Sequence, residues 1–232
     1  MVFGGLQKNS LIDFPGKISC ILFLSGCNFD CPYCHNPDLV KDKPSKSPYI
    51  DEMWVADFLE RRKGLLDGVV ISGGEPTLKR GLLPLCKKIK GMGYPIKLDT
   101  NGSRPQVIKR LIDEGLIDYV AMDIKRDPFQ YSPFIKKDCK PDLILASIQI
   151  IMESSLDYEF RTTCVKPIVD EKGIQRIARI IQGATLYALQ RFHHKEVLHP
   201  EFFQETGANY GGDELIHLKS VAEPWVQKCI IR

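Results

Sequence analysis

Ile18-Ser19-Cys20-Ile21-Leu22-Phe23-Leu24, followed by Ser25-Gly26 and then Cys27-Asn28-Phe29-Asp30-Cys31-Pro32-Tyr33-Cys34-His35, is the stretch on which the reading of this chain turns. Ile18 to Leu24 is short, continuous and apolar, with β-branched and aromatic residues, which is the pattern of a buried strand. Cys27, Cys31 and Cys34 follow in C-x3-C-x2-C spacing and so fall on a loop at that strand's carboxyl end. Three thiolates on so short a loop can converge on one metal centre. An iron–sulfur cube normally takes four cysteines. With three supplied, one iron keeps an open position, as a catalytic zinc does when protein fills three of its four sites. The same cysteines with His35 also suit structural zinc, and scattered buried thiols are common in cores.

The chain has 232 residues, enough for one sizeable domain, and an α/β barrel of this length need not be split. A single domain over 1–232 is expected, with its core at about 16–195 and a C-terminal helix and tail at about 196–232. The formal charge of +3 does not point to a nucleic-acid partner, although a mildly positive face suits docking of a small acidic redox protein. Of the eight cysteines only three cluster, and the rest are scattered singly. That fits reduced thiols and a cytoplasmic location rather than a disulfide framework. No apolar run approaches the ~20 residues of a membrane helix, and the amino terminus lacks a signal-peptide pattern.

Met1 to Lys17 reads as a lead-in, with turn chemistry at Asp13-Phe14-Pro15-Gly16. Lys41 to Pro48 reads as an exposed connection. Asp51 to Lys63 reads as a helix capped by Asp51, with Met53, Val55, Phe58 and Leu59 on its apolar side. Strands are expected at Gly68–Ile71, Pro95–Leu98, Tyr119–Met122, Tyr158–Cys164 and Thr185–Leu189, alternating with helices that begin near Gly81, Pro105, Asp142 and Asp170. Asp127 to Cys139 reads as a long aromatic and basic loop, His199 to Gly212 as irregular. Asp213 to Ala222 reads as a closing helix, and Trp225 to Ile231 as a last strand or extended tail covering the barrel's bottom or an edge strand.

The strand ends carry the chemistry. Ser72-Gly73-Gly74-Glu75-Pro76 follows the second strand, where a glycine pair lets backbone approach a ligand closely. Asp99 and Asp123 fall at the ends of adjacent strands, and two neighbouring carboxylates repel unless a cation or donors lie between them. Arg161, pointing inward near a strand end, needs an anion, with a carboxylate as the natural bidentate partner. His193 follows the sixth strand. Strand and helix alternate six times, which argues a parallel sheet with right-handed crossovers. In such barrels, sites form at the carboxyl ends of the strands. An open, partial (β/α)6 barrel is expected, with a lateral gap that could admit a protein loop.

The C-x3-C-x2-C loop resembles that of the radical SAM superfamily. Leu11-Ile12-Asp13-Phe14-Pro15-Gly16, Gly26-Cys27-Asn28 and Cys34-His35-Asn36-Pro37 resemble the opening of its glycyl-radical-enzyme activases, above all the anaerobic ribonucleotide-reductase activating proteins and the related pyruvate formate-lyase activating enzyme. The resemblance runs from about Gly5 to Arg161. It implies a [4Fe–4S] cluster on Cys27, Cys31 and Cys34, with S-adenosylmethionine (SAM) chelating the open iron. It also implies SAM contacts from Tyr33, Cys34, His35, Gly73, Gly74, Glu75, Asp123, Ile124, Lys125, Arg161 and His193, with His194 as the competing histidine. A monovalent cation beside SAM would be held by Asp99, Thr100, Asp123 and the Ala121 carbonyl. The implied reaction takes one electron from a flavodoxin or ferredoxin, breaks SAM into methionine and a 5′-deoxyadenosyl radical, and removes hydrogen from a glycine of a partner enzyme. No catalytic side chain is assigned beyond the cluster and SAM. The alternatives are a small radical SAM enzyme acting on a metabolite, of the carboxy-deazaguanine synthase type, and a zinc-binding protein without catalysis.

Overall fold

The run at Ile18–Leu24 forms strand β3 (Ser19–Leu24), buried along nearly its whole length. Its side chains alternate as a strand must: Cys20, Leu22 and Leu24 pack into the main core beneath the helices, while Ile21 and Phe23 face a second, smaller apolar cluster. Parallel to β3 run β5 (Gly68–Gly73), β6 (Ile96–Thr100), β7 (Tyr119–Asp123), β8 (Asp157–Cys164) and β9 (Tyr187–Arg191). These are the six parallel strands expected. Each connection carries a helix, the first preceded by the short α1 (Pro37–Val40), with α2 (Glu52–Arg61), α3 (Leu82–Gly91), α4 (Pro105–Asp113), α5 (Pro141–Met152) and α6 (Glu171–Ile180) in order. Asp51 caps α2 by accepting from the Trp54 amide at 2.7 Å, and Asp170 caps α6 through the Gly173 amide at 2.7 Å. This computed structural model describes residues 2–40, 50–131, 139–193, 196–203 and 208–232. The connection expected at 41–48, His194 and parts of the loops at 127–139 and 199–212 lie outside the described residues.

Two expectations are corrected. The lead-in is not irregular: it contains β1 (Val2–Phe3), paired with the short β4 (Ile50–Asp51), and β2 (Gly5–Ser10), antiparallel to β3. Met53 is 78% exposed rather than on the buried face of α2, which is built by Val55, Phe58 and Leu59. The expected closing helix is α7 (Gly212–Ala222), and the expected last strand is β10 (Cys229–Ile231), parallel to β9. The sheet therefore has eight strands in the order β10-β9-β8-β7-β6-β5-β3-β2, open between its two edges.

The concave face is layered. Phe14, from the turn before β3, packs with Ile21, Val70, Tyr119 and Ala121. Its ring fits against Gly68, where an added Cβ would come within 2.9 Å of it. On the same face Asp99 lies level with Ala121, and Asp123 and Arg161 stand two residues further toward the carboxyl ends. The apolar plug thus closes one end of the barrel, and the charged layer floors a cavity at the other.

Candidate active site

The cavity has a volume of about 440 Å³ and opens at the carboxyl ends of the parallel strands, within the range of small-molecule sites. Cys27, Cys31 and Cys34 line it together with Tyr33, His35, Gly73, Gly74, Asp99, Thr100, Asp123, Lys125 and Arg161. Residues from four strand ends, those of β5, β6, β7 and β8, thus meet the cysteine loop at one place.

The cysteine loop is held from three sides. The Tyr33 hydroxyl donates to the Lys125 carbonyl at 3.4 Å, and the Tyr131 hydroxyl accepts from the Lys125 amide at 2.7 Å. The Phe29 ring meets Tyr131 edge-on, with centroids 5.6 Å apart. On the far side, Leu198 and His199 donate backbone hydrogen bonds to the carbonyls of Cys34 and Pro32. The His199 ring bonds Asp30 at 3.0 Å and Glu201 at 2.9 Å. All three cysteines are free thiols. Burial pushes Cys27 up to about 11 and Cys31 up to about 12, with Lys125 opposing in both cases. Thiols in that state become ligands only when a metal displaces their protons.

The glycine pair has a reason the sequence did not disclose. Gly73 has φ +128°, and a Cβ there would lie 2.2 Å from the Leu24 carbonyl oxygen; one on Gly74 would lie 2.2 Å from the Gly26 oxygen. The amides of Gly74 and Glu75 donate to Leu24 and Gly26 at 2.8 and 2.9 Å. The close approach is therefore to the start of the cysteine loop, which this segment fastens down. Glu75 is fully buried and does not line the cavity. Its carboxylate accepts from the Thr77 amide and hydroxyl, the Thr100 hydroxyl and the Asn101 amide, at 2.5–3.1 Å. Burial raises its pKa against those hydrogen bonds.

The two aspartates meet across protein cations. Arg161 Nε lies 2.7 Å from Asp123, and its Nη1 lies 3.5 Å from Asp99. Lys97 pairs with Asp99 at 2.5 Å and Lys125 with Asp123 at 2.9 Å. Burial alone would raise both carboxyls; Arg161 leads the attraction that holds each below its ordinary range. Of the residues expected to hold a monovalent cation, Ala121 lies in the ladder between Asp99 and Glu159, and the Thr100 hydroxyl bonds Glu75. The positive charge between the carboxylates is that of Arg161. Behind it, Glu159 is 1% exposed and pairs with Arg232 at 2.7 Å.

Two other expected contacts sit differently. Ile124 is buried in the core, with its amide on the Arg161 carbonyl. The His193 side chain is exposed and outside the cavity lining; its carbonyl accepts from His35 Nε2 at 2.8 Å, and the His35 ring stacks on Phe192. Ser72, Asn101, Thr163 and Gln190 also line the cavity. Thr163 was accessible to period-two reasoning, being two residues beyond Arg161 on one strand.

Among the described residues no three His, Cys, Asp or Glu side chains converge as a site for one metal ion. The three sulfurs nonetheless share a cavity and act on one another electrostatically. Three cysteine sulfurs on one cavity are the donor type of an iron–sulfur cluster. The donor set fits as well, because the Phe29 amide donates to Cys27 Sγ at 3.4 Å, as polar hydrogens do to cluster sulfurs.

The radical SAM superfamily profile matches residues 21–179. A Methanocaldococcus jannaschii protein named as a glycyl-radical enzyme activating enzyme is 36% identical, over 98% of this chain and 94% of its own length. A pyruvate formate-lyase-activating enzyme of Staphylococcus epidermidis is 33% identical over 72% of this chain and 69% of its own. The fold is shared with Streptococcus suis SuiB, whose crystal structure bound to S-adenosylmethionine covers 91% of this chain at a TM-score of 0.64 and 13% identity; the match spans 51% of SuiB.

Proposed function

The chain belongs to the radical SAM superfamily, and from that membership we propose that it activates a glycyl radical enzyme. The observation that carries the reading is the meeting of three cysteines, a glycine-bearing strand end and the Asp123–Lys125–Arg161 set in one cavity. When bound, a [4Fe–4S] cluster and SAM supply one-electron reductive cleavage of SAM, with transfer of a hydrogen atom from a partner's glycine to the radical fragment.

The residues of this chain bind, orient and shield. Cys27, Cys31 and Cys34 hold the cluster and leave one iron without a protein ligand. Lys125 and Arg161 present positive charge to the carboxylate of SAM; Gly73 and Gly74 offer a side-chain-free wall to its amino acid portion. Tyr33, 3% exposed, gives a flat apolar surface beside the cysteines for its adenine. The apolar plug at Phe14 and the charged layer above it close the inner end of the cavity to water. The opening between β2 and β10 leaves room for a glycine-bearing loop of the partner. Anaerobic ribonucleotide reductase is the partner favoured by the motifs around Cys27 and Cys34, with a flavodoxin or ferredoxin as electron donor.

Anaerobically reconstituted protein should contain iron and sulfide and cleave SAM under a strong one-electron reductant. Mixed with anaerobic ribonucleotide reductase or with pyruvate formate-lyase, it should produce a glycyl radical signal in electron paramagnetic resonance, strongest with the reductase. SAM cleavage that survives Cys34→Ala, or no radical on either partner, would overturn the proposal.

A further inference from the structure

Asn101 is 5% exposed, and its backbone N–H and both side-chain polar atoms have partners. Its backbone amide donates to Glu75 Oε2 at 2.6 Å, and its Oδ1 accepts from the Ser103 amide at 2.9 Å. The Ser103 N–H can face only an acceptor, so the orientation of the side-chain amide is fixed with Nδ2 on the other side. Nδ2 donates to Asn28 Oδ1 at 3.1 Å and lies 3.9 Å from Cys27 Sγ. Asn28, 6% exposed, also accepts from the Ser103 hydroxyl at 3.3 Å, so it is pinned as well. Its own Nδ2 is a buried donor with no partner in the protein, next in sequence to Cys27. A buried amide hydrogen with no acceptor is costly, so an unsatisfied donor beside a cysteine calls for an explanation.

We infer that Asn101 is a positioning residue for the cysteine site, whose side-chain amide donates to the Cys27 sulfur and makes a cluster held there easier to reduce. The inference rests on the cluster reading above. Hydrogen bonds to ligand sulfurs are among the features that set cluster potentials, and a donor favours the reduced form because that form carries more negative charge on sulfur. The Phe29 amide at 3.4 Å acts in the same sense. It comes from the loop itself, whereas Asn101 comes from the end of β6, 74 residues away in sequence. Through Glu75, which bonds Asn101, Thr100 and Thr77, the donor is tied to the strand that carries the glycine pair. The potential is thereby linked to the seating of two strand ends.

The test is a potentiometric titration of the reconstituted, SAM-free protein, monitored by electron paramagnetic resonance. Asn101→Asp keeps the acceptor for Ser103 and removes the donor; Asn101→Ser removes it without adding charge. Each variant should bind iron and sulfide as the wild type does and be reduced with an equilibrium constant at least about tenfold smaller, about 59 mV lower for a one-electron couple. An unchanged potential in Asn101→Ser overturns the inference, as does failure of both variants to take up iron while melting at the wild-type temperature. That second result makes Asn101 an assembly residue only. A wild-type protein without iron and sulfide overturns the cluster reading itself.

Discussion

Replacing Gly73 by alanine separates two explanations of the glycine pair. If the glycine exists to admit a ligand, the apo-protein should tolerate a methyl group. If it exists because the strand end lies against Leu24, the apo-protein should lose stability. The structure favours the second, since φ +128° is closed to alanine and the added carbon would sit 2.2 Å from the Leu24 oxygen and 2.4 Å from its nitrogen. Neither atom belongs to a flexible side chain, so the strand end must move. The strained dihedral costs about 1–3 kcal/mol. The two backbone bonds to Leu24 and Gly26 contribute about 0.5–1.5 kcal/mol each and are lost if the segment shifts. Together these come to about 2–6 kcal/mol, a large share of a total stability of about 5–15 kcal/mol. At about 2–4 °C per kcal/mol for a chain near this length, a cost in the middle of that range lowers Tm by roughly 8–16 °C. The assay is urea unfolding and thermal melting of the metal-free, SAM-free protein, so that no ligand enters the comparison. Stability within about 0.5 kcal/mol of wild type, the range of an ordinary surface substitution, would refute the packing argument.

Arg161→Gln should cost about 2–3 kcal/mol at pH 7, less than a fully broken buried pair because Lys97 and Lys125 remain. Asp123 is held low in the folded state, so its contribution is present above the unfolded carboxyl value of about 3.9 and is lost as pH falls below it. The gap between Arg161→Gln and wild type should accordingly narrow below about pH 4 in denaturant titrations; a gap that widens in acid contradicts the assignment. Arg232→Ala leaves the buried Glu159 to compete for Arg161, 3.9 Å away. It should destabilise by about 1–3 kcal/mol and weaken SAM binding, with Glu159→Gln in the same chain recovering most of both in melting and equilibrium-binding measurements. His199→Ala removes two partly exposed hydrogen bonds to carboxylates and should change stability by less than about 1 kcal/mol. Hydrogen exchange at Leu198 and His199 should nonetheless speed up, and unaltered exchange would show that the ring does not secure this segment.

Strands β3, β5 and β7 were legible because each is a nearly continuous apolar run, whereas β6 and β8 showed as alternation, with Ile96, Leu98, Tyr158 and Phe160 set against Lys97, Asp99, Glu159 and Arg161. Strand β2 was not legible, because Gln7, Lys8 and Asn9 are exposed on an edge with one neighbour, and nothing in such a pattern distinguishes strand from loop. Site residues that follow strands were found by position. Side-chain direction was not legible: Glu75 turns away from the cavity to bond four donors, and His193 contributes its carbonyl. Arg232 could not be recognised either, since its partner Glu159 lies 73 residues earlier on a strand two places away in the sheet.

The bonds from Leu198 and His199 to the cysteine loop have a consequence for how this protein is made. Chains emerge from the ribosome at ~5–20 residues per second, so the sulfurs leave the tunnel many seconds before the segment that braces them. During that interval the earliest-made part of the site is the least finished. A ribosome stalled near residue 195 would display three unbraced cysteines to any oxidant that passed.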